Sequence, residues 1–220
     1  MILVTGTGRC GSSLMMQTLY YLGVPLIGDP QDNNSIDCLW HPMLYNDMDP
    51  KVIEELEERA MSFNPKGFWE LSIEEIIELC HKGFSSEDLG GAIKIMGGLV
   101  SELKTEDIEK IILCKRKDSV RQAESMYDMA QVDMQITEEN GLTGAWFTDW
   151  YKDKDYLDIM SMQTSQGYMI DNLATNYSIH SLCIYFEDIL EDPEREIESI
   201  VHFLELEDMD ITKAVENVDK

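Results

Sequence analysis

Short apolar runs alternate with longer stretches of helical period along this chain. Residues 2–5 (Ile-Leu-Val-Thr) form an uninterrupted apolar run that predicts a buried strand. Helical spacing over residues 14–22 ends at Gly23 and Pro25, which stop a helix. Residues 92–96 predict a second strand, residues 110–114 a third around Ile-Ile-Leu, and residues 181–185 a fourth. A helix over residues 118–132 follows the third strand directly. Residues 137–177 read as helical, interrupted near Gly141 and Gly144, with Trp146, Trp150, Tyr151 and Tyr156 serving the core or an acceptor pocket. Pro193 opens the last long helix, with Ile197, Ile200, Val201 and Leu204 on one apolar face.

Between the first two strands the pattern is different. Residues from about 28 to 49 are rich in Asp, Asn and Pro around Trp40-His41-Pro42 and read as a long loop or lid, part of an acceptor-side insertion over residues 28–70. Asp49-Pro50 starts a charged helix through Met61, Asn64-Pro65-Lys66-Gly67 is a turn, and another helix begins at Leu71. Strands alternating with helices predict an α/β fold with a mainly parallel central sheet. No repeat, low-complexity tract or linker divides the chain, so residues 1–220 read as a single domain.

The sharpest local feature follows the first strand: Gly6-Thr7-Gly8-Arg9-Cys10-Gly11-Ser12-Ser13, then a helix. Glycines let successive backbone N–H groups converge on an anion, and the helix N-terminus adds its dipole. The Gly6-x4-Gly11 spacing matches a Walker A loop, but Ser12 stands where that loop has Lys. A dinucleotide fingerprint also fails, because no acidic residue closes a second strand about 20 residues on. A plain Gly-rich turn would not need the coincidence of strand, cation, hydroxyls and helix. A second cation cluster, Lys115-Arg116-Lys117, stands at the end of the third strand ahead of a helix bearing Ser125. Idle positive charge is unfavourable at a helix N-terminus, so the alternative of a solvated basic turn is the weaker one.

Composition changes the list of partners. Seventeen Lys and Arg against 43 Asp and Glu leave a formal net charge of −26, which disfavours nucleic acid and anionic membrane surfaces. Hydrophobic residues make up 44%, enough for a packed core. The short opening apolar run is interrupted at Gly6 and Arg9, and no stretch of some 18 apolar residues follows, so neither a signal peptide nor a membrane span is expected. Five scattered cysteines without a CxxC read as reduced, mostly buried thiols of a cytoplasmic protein. A catalytic cysteine is conceivable at Cys10 alone. Acid pairs such as Asp153/Asp155 and Asp208/Asp210 are expected by chance at this acid content, and no metal is assigned.

Arg9-Cys10-Gly11-Ser12-Ser13 resembles the 5′-phosphosulfate loop of sulfotransferases that use 3′-phosphoadenylyl sulfate (PAPS), in the Arg-containing form of bacterial and protein-tyrosine members. The third strand, its cations and Ser125 are similar to that family's 3′-phosphate motif, an Arg followed eight residues later by Ser. Lys117 has that spacing, whereas Arg116 better fits the strand end; Arg116 is favoured, with Lys117 assisting. Residues 184–193, Ile-Tyr-Phe-Glu-Asp-Ile-Leu-Glu-Asp-Pro, look like the family's "YEDL…DP" segment.

The resemblance implies a three-layer P-loop fold with helices on both faces of the sheet. It implies PAPS as donor and 3′,5′-ADP (PAP) as product, with no metal. Thr7, Gly8, Arg9, Cys10, Gly11, Ser12 and Ser13 would hold the 5′-phosphosulfate, and Arg116, Lys117 and Ser125 the 3′-phosphate. Lys94 matches the lysine that contacts the transferring group alongside Arg9. Met96 occupies the place of the catalytic His of cytosolic members, so a carboxylate base is implied: Glu70, in Gly67-Phe68-Trp69-Glu70. His41 is the alternative base. The acceptor would be a small-molecule or glycan hydroxyl, with carbohydrate leading. Two rival readings remain: a P-loop nucleotide kinase or NTPase, and a nucleotide-binding relative without catalysis. The basic residues are expected to converge on the strand ends, with the acids outside.

Overall fold

The computed structural model describes residues 1–25, 91–95, 108–139, 154–176, 178–206 and 209–218. The expected lid, the turn at residues 64–67 and the helices starting near residues 49 and 71 lie outside the described residues, as do Met96 and the interruption at Gly141 and Gly144. The elements run β1 (Ile2–Gly6), α1 (Ser12–Tyr21), β2 (Ala92–Lys94), β3 (Lys110–Lys115), α2 (Ser119–Glu139), α3 (Tyr156–Asn176), β4 (His180–Tyr185), α4 (Phe186–Glu191), α5 (Pro193–Leu204) and α6 (Thr212–Val218).

All four strands are parallel, in the order β2-β1-β3-β4. The chain is therefore α/β with a small parallel sheet, and β1 and β3 read as continuous apolar runs because both their faces are buried, whereas β4 is largely exposed. Val4, Ile112 and Ile184 join Met15 and Leu19 of α1, Ile197, Ile200 and Leu204 of α5, and Ala214 and Val218 of α6 in one apolar cluster. Leu3, Ile111 and Leu113, the alternate strand positions, join Ile170 of α3 in a second. Burying each such aliphatic side chain stabilises the fold by roughly 1.5–3 kcal/mol. A third, smaller cluster of Ala123, Met126 and Ile159 fastens α2 to α3.

Several boundaries moved for identifiable reasons. α1 begins at Ser12, two residues earlier than its apolar spacing suggests, because Gly11 at φ 90° turns the loop straight into the helix. Residues 137–139 belong to α2, which outlasts the expected end at residue 132. α4 and α6, of 6 and 7 residues, are too short to display a helical period in sequence. α5 follows the expected capping: the Asp192 side chain accepts from the Arg195 N–H, Pro193 takes the first turn, and Glu205 closes the helix at φ 60°. Among the described residues, no helix is long and apolar enough to cross a membrane.

Strand order positions the site. The chain leaves β1 toward β2 on one side, then places β3 on the other, so the order reverses between β1 and β3. In open parallel sheets, ligands bind outside the carboxyl ends of the strands at such a reversal. Here Gly6 pairs in register with Cys114 at those ends.

Candidate functional site

The Gly-rich loop leaves β1 at this reversal, and three close approaches shape it. A Cβ on Gly6 would lie 2.4 Å from both the Cys10 Sγ and the Cys114 carbonyl oxygen. On Gly8 it would meet the Met126 Sδ at 2.8 Å, and on Gly11 a Phe186 ring carbon at 2.5 Å. Arg9 and Gly11 both have positive φ, 63° and 90°. A non-Gly residue there is strained, and such strain persists where surrounding contacts over-determine the backbone. Left-handed residues interspersed in a turn are the geometry of anion-binding nests. α1 then starts without an acidic residue in its first turn and without a side-chain cap, leaving its N-terminal dipole uncompensated by the helix's own side chains.

Cations from separate elements meet at this loop. Lys94, the last residue of β2, donates from Nζ to the Ser13 Oγ at 3.3 Å. Arg9 donates from Nε to the Ser125 Oγ on α2 at 3.0 Å. The structure thus brings Arg9, Ser13, Lys94 and Ser125 together, and ties Ser125 to the loop arginine.

At the end of β3 the cations are sorted by their partners. The Arg116 guanidinium lies over the Phe186 ring, 4.4 Å from its centroid, and its buried Nε has no hydrogen-bond partner among the described residues. Phe186 also packs on Gly11, so one ring connects the loop to Arg116. The Lys117 ammonium pairs with Asp188, while its backbone N–H donates to a Glu187 carboxylate oxygen at 2.9 Å. The hydrogen bond to Asp188 holds that ammonium above its ordinary value, against desolvation. Lys115 pairs with Asp171 at 2.7 Å and Arg121 with Asp118 at 3.6 Å. The anticipated separation of bases inside from acids outside is therefore incomplete: acids from α3, α4 and the start of α2 neutralise three of the four cations.

Behind the loop, Cys10 and Cys114 are buried and form a hydrogen-bonded pair of thiols. The Cys114 thiol is the main influence pulling Cys10 from its ordinary 9.0 to about 7. Burial opposes it, while the Ser12 hydroxyl and N–H and the Lys94 charge assist. Cys114 is correspondingly pushed well above 9.0, first by the same hydrogen bond and then by burial. Cys183, expected among mostly buried cysteines, is exposed on β4. Cys38 and Cys80 lie outside the described residues.

Glu70 and His41, the two readings for a base, lie outside the described residues, as do Trp146, Trp150 and Tyr151. Two residues at the loop escaped sequence reasoning. Gln122 on α2 donates from Nε2 to the Thr7 Oγ1 at 2.7 Å and to the Gly8 carbonyl at 2.8 Å. Gln163 on α3 donates to the same carbonyl at 3.0 Å. The available signal was spacing: Gln122, Ser125 and Met126 share one helical face. Among the described residues, no group of His, Cys, Asp and Glu is arranged to hold a metal ion. Comparison with known proteins finds no matching family model, curated protein or solved structure.

Proposed function

We propose that this chain is a PAPS-dependent sulfotransferase on a three-layer P-loop fold. The observation that carries the reading is convergence: Arg9 and Lys94 reach Ser125 and Ser13 around a positive-φ loop, at the strand-order reversal. A doubly negative phosphosulfate suits such a site, since backbone N–H groups, a helix N-terminus and two cations all favour anions.

The residues present fit the donor. Thr7, Gly8, Arg9, Cys10, Gly11, Ser12 and Ser13 would hold its 5′-phosphosulfate. Arg116, whose buried Nε lacks a partner among the described residues, would bind the 3′-phosphate together with Ser125. The pairing of Lys117 with Asp188 and Glu187 supports Arg116 over Lys117 as the direct contact. Bound PAPS supplies the activated sulfonyl group. Arg9 and Lys94 would offset negative charge developing there, and Glu70 would accept the acceptor's hydroxyl proton. The free thiols Cys10, Cys114 and Cys183 suit a reducing, cytoplasmic setting.

Calorimetric titration with 3′,5′-ADP and with ATP plus Mg²⁺ tests the donor site, with binding of 3′,5′-ADP expected to be tighter. Preference for Mg-ATP would overturn this reading in favour of a kinase or NTPase. Transfer of labelled sulfonate from PAPS to a panel of glycans and alcohols tests catalysis. Donor binding without transfer to any acceptor would mark a binding protein instead. Glu70→Gln should abolish transfer and leave donor binding intact; unchanged transfer removes Glu70 as the base.

A further inference from the structure

The Gly8 carbonyl is held from two helices at once. Gln122 and Gln163, 6% and 8% exposed, both direct their amide N–H groups to it, at 2.8 and 3.0 Å. Gln122 also holds the Thr7 hydroxyl, at 2.7 Å. On the same face of α2, Ser125 accepts from Arg9 and Met126 packs beneath Gly8. Three consecutive loop residues, Thr7, Gly8 and Arg9, are thus gripped by residues one helical turn apart.

A carbonyl oxygen is the wrong group to offer an anion, because its partial negative charge repels the ligand. In a trans peptide, the C=O and the following N–H point in opposite directions. The peptide between Gly8 and Arg9 is trans, so drawing the carbonyl into the α2–α3 layer sends the Arg9 N–H the other way. It also accompanies a left-handed Arg9, at φ 63°, a conformation that is strained for a non-Gly residue. The two amides occupy both lone pairs of that carbonyl, so neither is left to face a ligand.

We infer that Gln122 and Gln163 are positioning residues: their paired grip on the Gly8 carbonyl presets the loop to receive an oxyanion and keeps that carbonyl out of the site. Neither touches the ligand; they act through the Gly8–Arg9 peptide. The identity of the ligand used as probe rests on the reading proposed above, whereas the grip itself is independent of it.

Gln163→Leu removes one grip and leaves Gln122 to satisfy the buried carbonyl, so the fold is kept. It should weaken 3′,5′-ADP binding in calorimetry about tenfold. Gln122→Leu should weaken it further. Gln163→Glu supplies the signature that a packing role would not give: an ionised carboxylate repels the carbonyl, a protonated one donates to it. Relative to wild type at each pH, this variant should bind poorly above neutrality and recover on acidification, while Gln163→Leu shows no recovery. Unchanged affinity in Gln163→Leu and Gln122→Leu, or pH recovery common to both position-163 variants, would overturn the inference. If the wild-type protein does not bind 3′,5′-ADP, the donor reading fails. Amide hydrogen exchange of residues 8–11 then decides the grip: faster exchange in Gln163→Leu supports it, and unchanged exchange overturns it.

Discussion

Gly11→Ala concentrates the physics of the loop in one methyl group. Gly11 sits at φ 90°, where an L side chain costs about 1–2 kcal/mol. The new Cβ would lie 2.5 Å from the Phe186 Cδ2 and 3.3 Å from its Cβ and Cγ. Rotating the ring relieves the first contact but not the contact at its root, which the start of α4 fixes, and the ring is also covered by Arg116. Overpacking of this kind costs about 1–3 kcal/mol, so the expected loss is about 2–5 kcal/mol. Urea unfolding of wild type and variant at one pH measures it, provided the slopes agree. In a Phe186→Ala background only the 3.3 Å approach of the remaining Cβ and the backbone strain persist, so Gly11→Ala should cost about 1–2 kcal/mol there. A loss below about 1 kcal/mol in the wild-type background, or an equal loss in both, would refute the packing argument.

Other outcomes can be checked alongside. With Cys10 lowered to about 7 and Cys114 raised, an unfolded chain near 9.0 keeps protons that the folded Cys10 has already lost, so stability should rise from pH 7 toward 9. Above 9.0 the unfolded chain sheds both protons while folded Cys114 retains its own, so the trend reverses; in urea midpoints measured across pH, Cys10→Ala should remove the rise below 9.0 and reduce, without abolishing, the fall above it, because burial still raises Cys114. Arg116→Ala should weaken 3′,5′-ADP binding about tenfold to a hundredfold in calorimetry, and Lys117→Ala less than about threefold; the reverse order would make Lys117 the contact. Asp192→Ala removes the acceptor for the Arg195 N–H and should cost about 1 kcal/mol in thermal unfolding, with Asp192→Asn close to wild type.

The apolar runs at residues 2–5 and 110–114 were legible as strands because a parallel sheet buries both faces and leaves no alternation to confuse with a helix. Asp192-Pro193 was legible as a helix start because capping is local chemistry. The Gly-rich loop was legible too, since the residues that permit tight turns are few. Strand order was not, because pairing of β1 with both β2 and β3 joins segments separated by long stretches of chain. Position at the strand end favoured Arg116 over Lys117, but their different surroundings were not legible: α4 returns Phe186 under one and Asp188 beside the other. Gln122 and Gln163 look in sequence like ordinary polar helix residues, and only packing of α2 and α3 against the loop puts both amides on a single carbonyl. Spacing along the chain determined which segments turn, cap and bury themselves, since those are short-range effects. Contacts between distant segments decided which cations pair with acids and which reach a serine hydroxyl or an aromatic ring, because Coulomb and hydrogen-bond energies depend on distance in space.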